Sequence, residues 1–81
     1  MATKEKAKFV KTDLNLYPNY PENTALVSLH ILRGSYRVSI WGEDDMGYEM
    51  ETPSLMKAKE IYKEITFVNN NTLKKFGFEL A

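Results

Sequence analysis

The acidic side chains of this sequence are its best candidates for chemistry, and five of them lie within "IWGEDDMGYEME", residues 40–51. Carboxylate oxygens are the ligands that calcium and magnesium prefer in proteins. An EF-hand calcium loop needs ligands at alternate positions, a glycine sixth and a glutamate twelfth, whereas this stretch has consecutive acids and does not fit that frame. We therefore expect a solvated turn, in which aspartate and glycine serve the backbone conformation, and no metal or cofactor. The acids are Glu43, Asp44, Asp45, Glu49 and Glu51.

His30 is the one histidine of the chain and its best candidate for a general base. Ser28 lies on the same face of the predicted strand, but two residues along a strand are roughly 6.5–7 Å apart. A serine nucleophile needs a base within hydrogen-bond reach, and no carboxylate is clearly placed behind His30. Because the chain has no cysteine, no thiolate can act as a nucleophile or a metal ligand. We predict a surface histidine and a protein that is not an enzyme.

The composition is typical of one small domain with two oppositely charged regions. A chain of 81 residues is long enough for one domain. Its 11 basic and 11 acidic residues give no net charge, which disfavours sequence-independent nucleic-acid binding, because that binding depends on neutralising phosphates. The charges are nevertheless segregated, since acids crowd residues 43–51 and lysines crowd the start of the chain. The lysines are Lys4, Lys6, Lys8 and Lys11.

Nothing in the sequence predicts a membrane or secretory segment. No apolar run approaches the roughly 18–20 residues that span a bilayer. The stretch "MATKEKAKFVK" also has no apolar signal-peptide core. We therefore expect a cytoplasmic protein that does not enter membranes.

A β-hairpin is the clearest element of the sequence. "ALVSLHIL" and "YRVSIW" place apolar residues at alternate positions, which is typical of strands with one buried face. If Arg33 and Gly34 form a two-residue turn, apolar side chains face apolar ones on one side of the hairpin. The predicted pairs are Ile31 with Tyr36, Leu29 with Val38 and Val27 with Ile40 on that side, and His30 with Arg37, Ser28 with Ser39 and Leu26 with Trp41 on the other.

A second hairpin is predicted to turn within the acidic stretch. Placing Tyr48 opposite Ile40 keeps the apolar face continuous across a third strand. The same register brings Glu51 opposite Arg37, an attractive cross-strand pair worth about 0.2–1 kcal/mol. The opening stretch is therefore predicted to be a hairpin tip with its two flanking strands.

An amphipathic helix is predicted to follow the hairpins. Thr52 is a suitable N-cap and Pro53 a suitable first residue. "PSLMKAKEIYKEI" places its apolar residues on one face, which predicts that the helix covers the apolar side of the sheet. Thr72 and Gly77 predict the start and the end of one last helical turn. The apolar face of the main helix consists of Leu55, Ala58, Ile61, Tyr62 and Ile65.

Together these elements predict an α+β fold, a three-stranded antiparallel meander with one main helix packed on one face. We assign residues 25–81 to this single α+β domain. Residues 1–24 are interpreted as an N-terminal basic segment and a loop rich in tyrosine and proline. Within them "DLNLY", residues 13–17, can add an edge strand.

The sheet face without the helix is the predicted contact surface. It carries Trp41, the only tryptophan of the chain, and Arg37, and both residue types are enriched in binding hot spots. Neighbouring carboxylates would steer a basic partner and speed its approach. We predict a non-enzymatic protein-binding module that contacts a protein partner through Trp41, Glu43, Asp44, Asp45, Glu49 and Arg37.

Three alternatives stay open. In the first, the N-terminal segment covers this face, or Trp41 completes a small second core, and the face has no partner. In the second, the chain is a single-stranded nucleic-acid or regulatory binder that uses the same face together with the basic N-terminus. In the third, bare faces or edge strands pair in a homodimer.

The pattern of "WGEDDMGYEME", a helix containing "AKEIYKEI" and the closing "LKKFGFELA" resembles a group of short uncharacterised proteins encoded by bacteriophages. The resemblance covers residues 36–81 and rests on the tryptophan–glycine–acidic turn, the helix and the terminal glycine–phenylalanine–glutamate element. It implies a phage or mobile-element accessory protein without known catalysis. Small accessory proteins of this kind often bind and block a host enzyme or a defence complex such as a CRISPR nuclease, so the resemblance implies an inhibitor or modulator of the anti-CRISPR type.

Overall fold

The computed structural model describes residues 6–13, 24–41 and 47–81, which form a mixed β-sheet and two helices. Four strands come first: β1 (Lys6–Thr12), β2 (Thr24–Ile31), β3 (Tyr36–Trp41) and β4 (Gly47–Thr52). They are followed by helix α1 (Leu55–Glu64), strand β5 (Phe67–Val68), helix α2 (Asn70–Phe76) and strand β6 (Glu79–Leu80). Neither of these described helices is long and apolar enough to cross a membrane.

The predicted α+β class is confirmed, and the sheet is larger than predicted. Its strand order is β5-β1-β2-β3-β4-β6, with the predicted meander β2-β3-β4 at the centre. β1 pairs antiparallel with β2, and β5 pairs parallel with β1. The predicted meander with one main helix is therefore only part of the fold. Of "DLNLY", the stretch considered for an extra edge strand, residues 14–17 lie outside the described part of the chain, and the N-terminal strand that the structure shows is β1. β1 escaped prediction because "KAKFVKT" mixes lysine with apolar residues at alternate positions, so neither face of the strand is uniformly apolar.

Both predicted hairpin registers are confirmed. β2 and β3 pair with Val27 opposite Ile40 and His30 opposite Arg37. β3 and β4 pair with Arg37 opposite Glu51. The agreement follows from the two-residue period of a strand, because a slip by one position would move every apolar side chain of the hairpin to the wrong face.

The turn between β2 and β3 has Arg33 and Gly34 at its tip, as predicted. The Leu32 N–H donates a hydrogen bond to the Ser35 carbonyl over 2.9 Å. Gly34 has a φ of +82°, a left-handed conformation that a β-carbon disfavours. Glycine at the second tip position therefore allows this tight reversal beside an arginine.

The core lies between the sheet and α1. The predicted apolar face of this helix is confirmed, since Ala58 and Ile61 are buried against the sheet and Ile65 is buried directly after the helix. α2 contributes Leu73 to the same core. The buried apolar cluster consists of Val10, Ala25, Val27, Leu29, Val38, Ile40, Met50, Ala58, Ile61, Ile65, Val68, Leu73 and Phe78.

Both helices begin at residues other than those predicted. Ser54 caps α1, because its side chain accepts a hydrogen bond from the Lys57 N–H over 3.1 Å, whereas Thr52 belongs to β4. Asn69 caps α2 by accepting the Thr72 N–H over 3.0 Å, so Thr72 lies inside that helix. In each case a second side chain of the capping type stands nearby in the sequence, and residue type alone does not choose between them.

α2 connects the two edges of the sheet and ends at Gly77, as predicted. Gly77 has a φ of +78° and closes the helix in the left-handed conformation. A flat sheet of this strand order would separate β5 from β6 by about 24 Å, whereas a helix as short as α2 spans only about 10 Å. The sheet must therefore curl around its core, so that its core face is concave and its opposite face is convex.

Lys8 shows how a lysine is accommodated on the core face of β1. Its ammonium lies 4.7 Å from the centre of the Tyr62 ring and donates to the Lys63 carbonyl over 3.5 Å. Burial lowers the pKa of Lys8 and raises the pKa of Tyr62. The charge sits at the C-terminal end of α1, where the helix dipole stabilises a cation, and the stem of the side chain covers apolar surface.

Candidate protein-binding surface

The face of the sheet opposite the core, here called the far face, carries the residues that the sequence analysis singled out. Because side chains alternate along each strand, the far face consists of every second residue of β1 to β4, of Phe67 from β5 and of Glu79 from β6. Its residues are Ala7, Phe9, Lys11, Thr24, Leu26, Ser28, His30, Arg37, Ser39, Trp41, Glu49, Glu51, Phe67 and Glu79.

Phe9, Leu26 and Trp41 lie side by side across the far face and form what we call the apolar row. Phe9 is opposite Leu26, and Leu26 is opposite Trp41. The Phe9 side chain is 65% exposed, while Leu26 and Trp41 are half-buried. Phe67 of β5, which is also exposed, lies opposite Lys11 and lengthens this apolar surface beyond β1. Contiguous exposed apolar side chains mark interaction sites on soluble domains.

Glu49 and Glu51 flank Arg37, and together with Glu79 on the next strand they form what we call the acidic end of the far face. Glu49 Oε1 lies 3.7 Å from Arg37 Nε, and Glu51 Oε1 lies 3.7 Å from Arg37 Nη2. These ion pairs are too long to be hydrogen bonds. Glu51 also accepts a hydrogen bond from Ser35 Oγ over 2.8 Å. Glu79 lies directly opposite Glu49, and like charges in that relation destabilise a sheet.

Ser28 and His30 form a hydrogen bond on the far face, with 2.8 Å between Oγ and Nε2. The expectation that these side chains lie too far apart is therefore wrong, because side chains on one strand face can lean along the strand and close the gap. Ser28 is only 4% exposed, which leaves its oxygen little access to a substrate. The arrangement fixes the imidazole at the strand surface.

Ser39 lies at the centre of the far face and is completely buried. Its Oγ has no hydrogen-bond partner among the described residues, and the same is true of Arg37 Nε. A buried polar group that is left without a partner costs about 1–3 kcal/mol. The far face therefore contains a buried polar group that lowers the stability of the free chain, whereas the core face buries apolar side chains that raise it.

The structure brings half of the predicted contact residues together. Trp41, Arg37 and Glu49 lie on the far face, with Arg37 and Glu49 in direct contact. Within residues 6–13, 24–41 and 47–81, no group of three or more histidine or acidic side chains is arranged to hold a metal ion. The remaining predicted residues, Glu43, Asp44 and Asp45, lie outside the described part of the chain.

Sequence reasoning missed Phe9 and Glu79. Phe9 precedes the buried Val10 within a lysine-rich segment, and two adjacent apolar residues on a strand must face opposite sides of a sheet. If β1 is taken as a strand, this rule predicts that Phe9 lies on the face opposite to the buried Val10. Glu79 joins the far face through β6, whose length of two residues is too short to give a periodic pattern.

Comparison of the chain with protein-family models, with curated proteins and with solved structures finds no match. No relative therefore assigns a role to any of its residues. The functional argument depends on the chemistry of the far face.

Proposed function

We propose that this protein is a non-enzymatic protein-binding module that contacts its partner through the far face. The observation that carries the proposal is the 65% exposure of Phe9 in line with Leu26 and Trp41, on the side of the sheet away from the core. Trp41 and Arg37, which lie on this same face of β3 with Ser39 between them, are residue types enriched in binding hot spots.

The curvature of the sheet supports a protein partner over a small molecule. Sites for small ligands are concave and enclose most of the ligand surface. The far face is convex, because the sheet curls toward α1 and α2 on its other side. It exposes the phenyl ring of Phe9, which suits insertion into the surface of a larger protein.

The acidic end supports a protein partner over a nucleic acid. Binding to single-stranded nucleic acid combines stacking on aromatic rings with a positively charged groove along the phosphates. The far face offers the aromatic rings, but Glu49, Glu51 and Glu79 lie along its β4 and β6 side. Phosphates that approach the apolar row from that side would be repelled.

The proposal also concerns the kind of protein that the far face would bind. The resemblance to phage accessory proteins leads us to propose a larger host or defence protein, which this module would bind stoichiometrically and modulate or inhibit. An inhibitor of the anti-CRISPR type is one such case. A fold of this kind has no fixed function, and its activity depends on the surface that it presents.

The test is affinity capture from bacterial lysate with the wild type, Trp41→Ala, Phe9→Ser and Met56→Ala as baits. Met56 is the matched control, because it is 78% exposed and lies on α1, away from the far face. We expect one protein that the wild type and Met56→Ala retain and that the far-face variants lose, since a hot-spot truncation costs about 2 kcal/mol or more, roughly thirtyfold in affinity.

Circular dichroism must show that each bait is folded before its captured proteins are compared. Phe9→Ser guards against a folding defect, because a side chain this exposed contributes little to the core. If folded Trp41→Ala and Phe9→Ser capture the same proteins as the wild type, the far face is not the contact surface and the proposal is wrong.

A further inference from the structure

The distribution of charge on the far face indicates the chemistry of the segment that docks there. We infer that the far face binds a cationic segment of its partner, whose lysine or arginine side chains lie at Glu49 and Glu79 while an apolar side chain packs on the apolar row. This inference rests on the proposed function and specifies the kind of protein surface that the module recognises.

The first argument is the excess of negative charge at the acidic end. Arg37 is shared between Glu49 and Glu51, at 3.7 Å from each, so one guanidinium faces two carboxylates. Glu79 adds a third carboxylate directly opposite Glu49. The free chain therefore bears a repulsion between neighbouring strands, which a cation placed between Glu49 and Glu79 would remove.

The second argument is the shape of the surface beside these carboxylates. A groove of about 340 Å³ runs along the outer side of β4, where β6 ends. A lysine or arginine side chain combines an apolar stem with a charged head. The groove is lined mainly by polar groups, with three carboxylates for the charged head and the exposed Leu80 beside them for the stem. Its lining consists of Glu49, Met50, Glu51, Gly77, Glu79 and Leu80.

The third argument is the polarity of the far face as a whole. Lys11, which is exposed, lies on the β1 side of the apolar row, and the carboxylates lie on the β4 and β6 side. A docking segment that carries its positive charge at one end is therefore oriented, with that end over β4. An acidic segment or a phosphate backbone would meet the carboxylates unfavourably in the same place.

The test uses Trp41 fluorescence, because Trp41 is the only tryptophan of the chain and lies in the apolar row. Two synthetic peptides of equal length, one built from the repeat Lys-Leu-Ser and one from Glu-Leu-Ser, are titrated into the full chain. We expect the lysine peptide to bind at least roughly tenfold more tightly and to lose affinity as salt is raised, because the attraction is screened.

The double variant Glu49→Gln with Glu79→Gln removes the two carboxylates that the inference depends on. We expect it to weaken binding of the lysine peptide by roughly two- to fivefold, the effect of losing exposed ion pairs. The matched control is Glu60→Gln with Glu64→Gln, which removes the same charge from the exposed side of α1 and should leave the affinity unchanged.

Four outcomes would overturn the inference. The first two are equal or tighter binding of the glutamate peptide than of the lysine peptide, and a loss of affinity in the α1 control as large as that in the Glu49 and Glu79 double variant. The third is tighter binding of an oligothymidylate than of the lysine peptide. The fourth is a Trp41 emission shift that depends on the concentration of the chain alone, which would identify a second copy as the occupant.

The failure of this inference can be told apart from the failure of the proposed function. If captured partners are lost from Trp41→Ala, while the lysine peptide binds the wild type and the Glu49 and Glu79 double variant with equal affinity, the far face binds a protein by apolar contact and the cationic segment is wrong. If both variants keep every captured partner, the proposed function itself is wrong.

Discussion

The core face and the far face of the sheet differ in whether their polar side chains have partners and their apolar side chains are buried. On the core face, Lys8 is half-buried, and its ammonium has a carbonyl and the Tyr62 ring as partners. On the far face, Ser39 Oγ is buried without a hydrogen-bond partner among the described residues, and Phe9 is largely exposed. The core face is arranged for stability. The far face departs from that arrangement, and such departures are where functional sites are expected.

The largest difference in stability between the two faces should appear when one side chain on each face is truncated by the same number of carbon atoms. Ile40→Ala removes a fully buried side chain from the core, and we expect the free energy of unfolding to fall by about 2–5 kcal/mol. Leu26→Ala removes a half-buried side chain from the far face, and we expect a loss under about 2 kcal/mol. Urea unfolding followed by circular dichroism measures both.

Equal losses from Ile40→Ala and Leu26→Ala would contradict the contrast between the faces. That result would mean that Leu26 and Trp41 belong to a second core rather than to a contact surface. The slope of the unfolding free energy against urea serves as the control, because a change in slope would indicate an altered unfolded state.

A smaller effect is expected at the start of the helix that covers the core face. Ser54→Ala removes the cap of α1, which accepts the Lys57 N–H, and should lower the free energy of unfolding by about 0.5–2 kcal/mol. Ser54→Asp keeps a capping oxygen and should restore most of the loss. Thermal denaturation of both variants checks this, and a loss of the same size in both would show that Ser54 acts in some other way.

The smallest change in the free energy of unfolding is expected for a substitution at the centre of the far face, and it should not be a loss. Ser39→Ala removes a buried hydroxyl without a described partner, so stability should be unchanged or slightly raised. Ser28→Ala is its matched neighbour, since Ser28 Oγ is bonded to His30, and it should lower stability by about 1 kcal/mol. Similar losses in the two variants would show that both hydroxyls are satisfied.

The central meander could be predicted residue by residue because its signal is redundant. Apolar residues alternate in both strands of the first hairpin, and the turn between them has a glycine at the position where φ is positive. The alternation and the turn each predict the same register, in which Val27 lies opposite Ile40. Apolar spacing likewise placed the buried face of α1. The helix starts could not be fixed, because Thr52 and Ser54 are both suitable caps and only the pairing of β4 assigns Thr52 to the strand.

The edges of the sheet, and with them Glu79 of the candidate site, were beyond sequence reasoning for a different reason. β5 and β6 have two residues each, which is too few for a period to appear. Their places follow from tertiary contacts alone, and with them the position of Glu79 opposite Glu49. Trp41, Arg37 and Glu49 could be placed on one face because all three belong to the meander.

The pairing of β5 with β1 also has a consequence for how the chain reaches this fold. Lys11 pairs with Phe67, so this contact closes a loop of most of the chain, while the meander closes only short turns. Long loops lose more entropy on closure, and folds with distant contacts form slowly. We therefore expect the meander to form early and the β5 edge to close last and open first. Until it closes, β1 presents a bare strand edge to other chains.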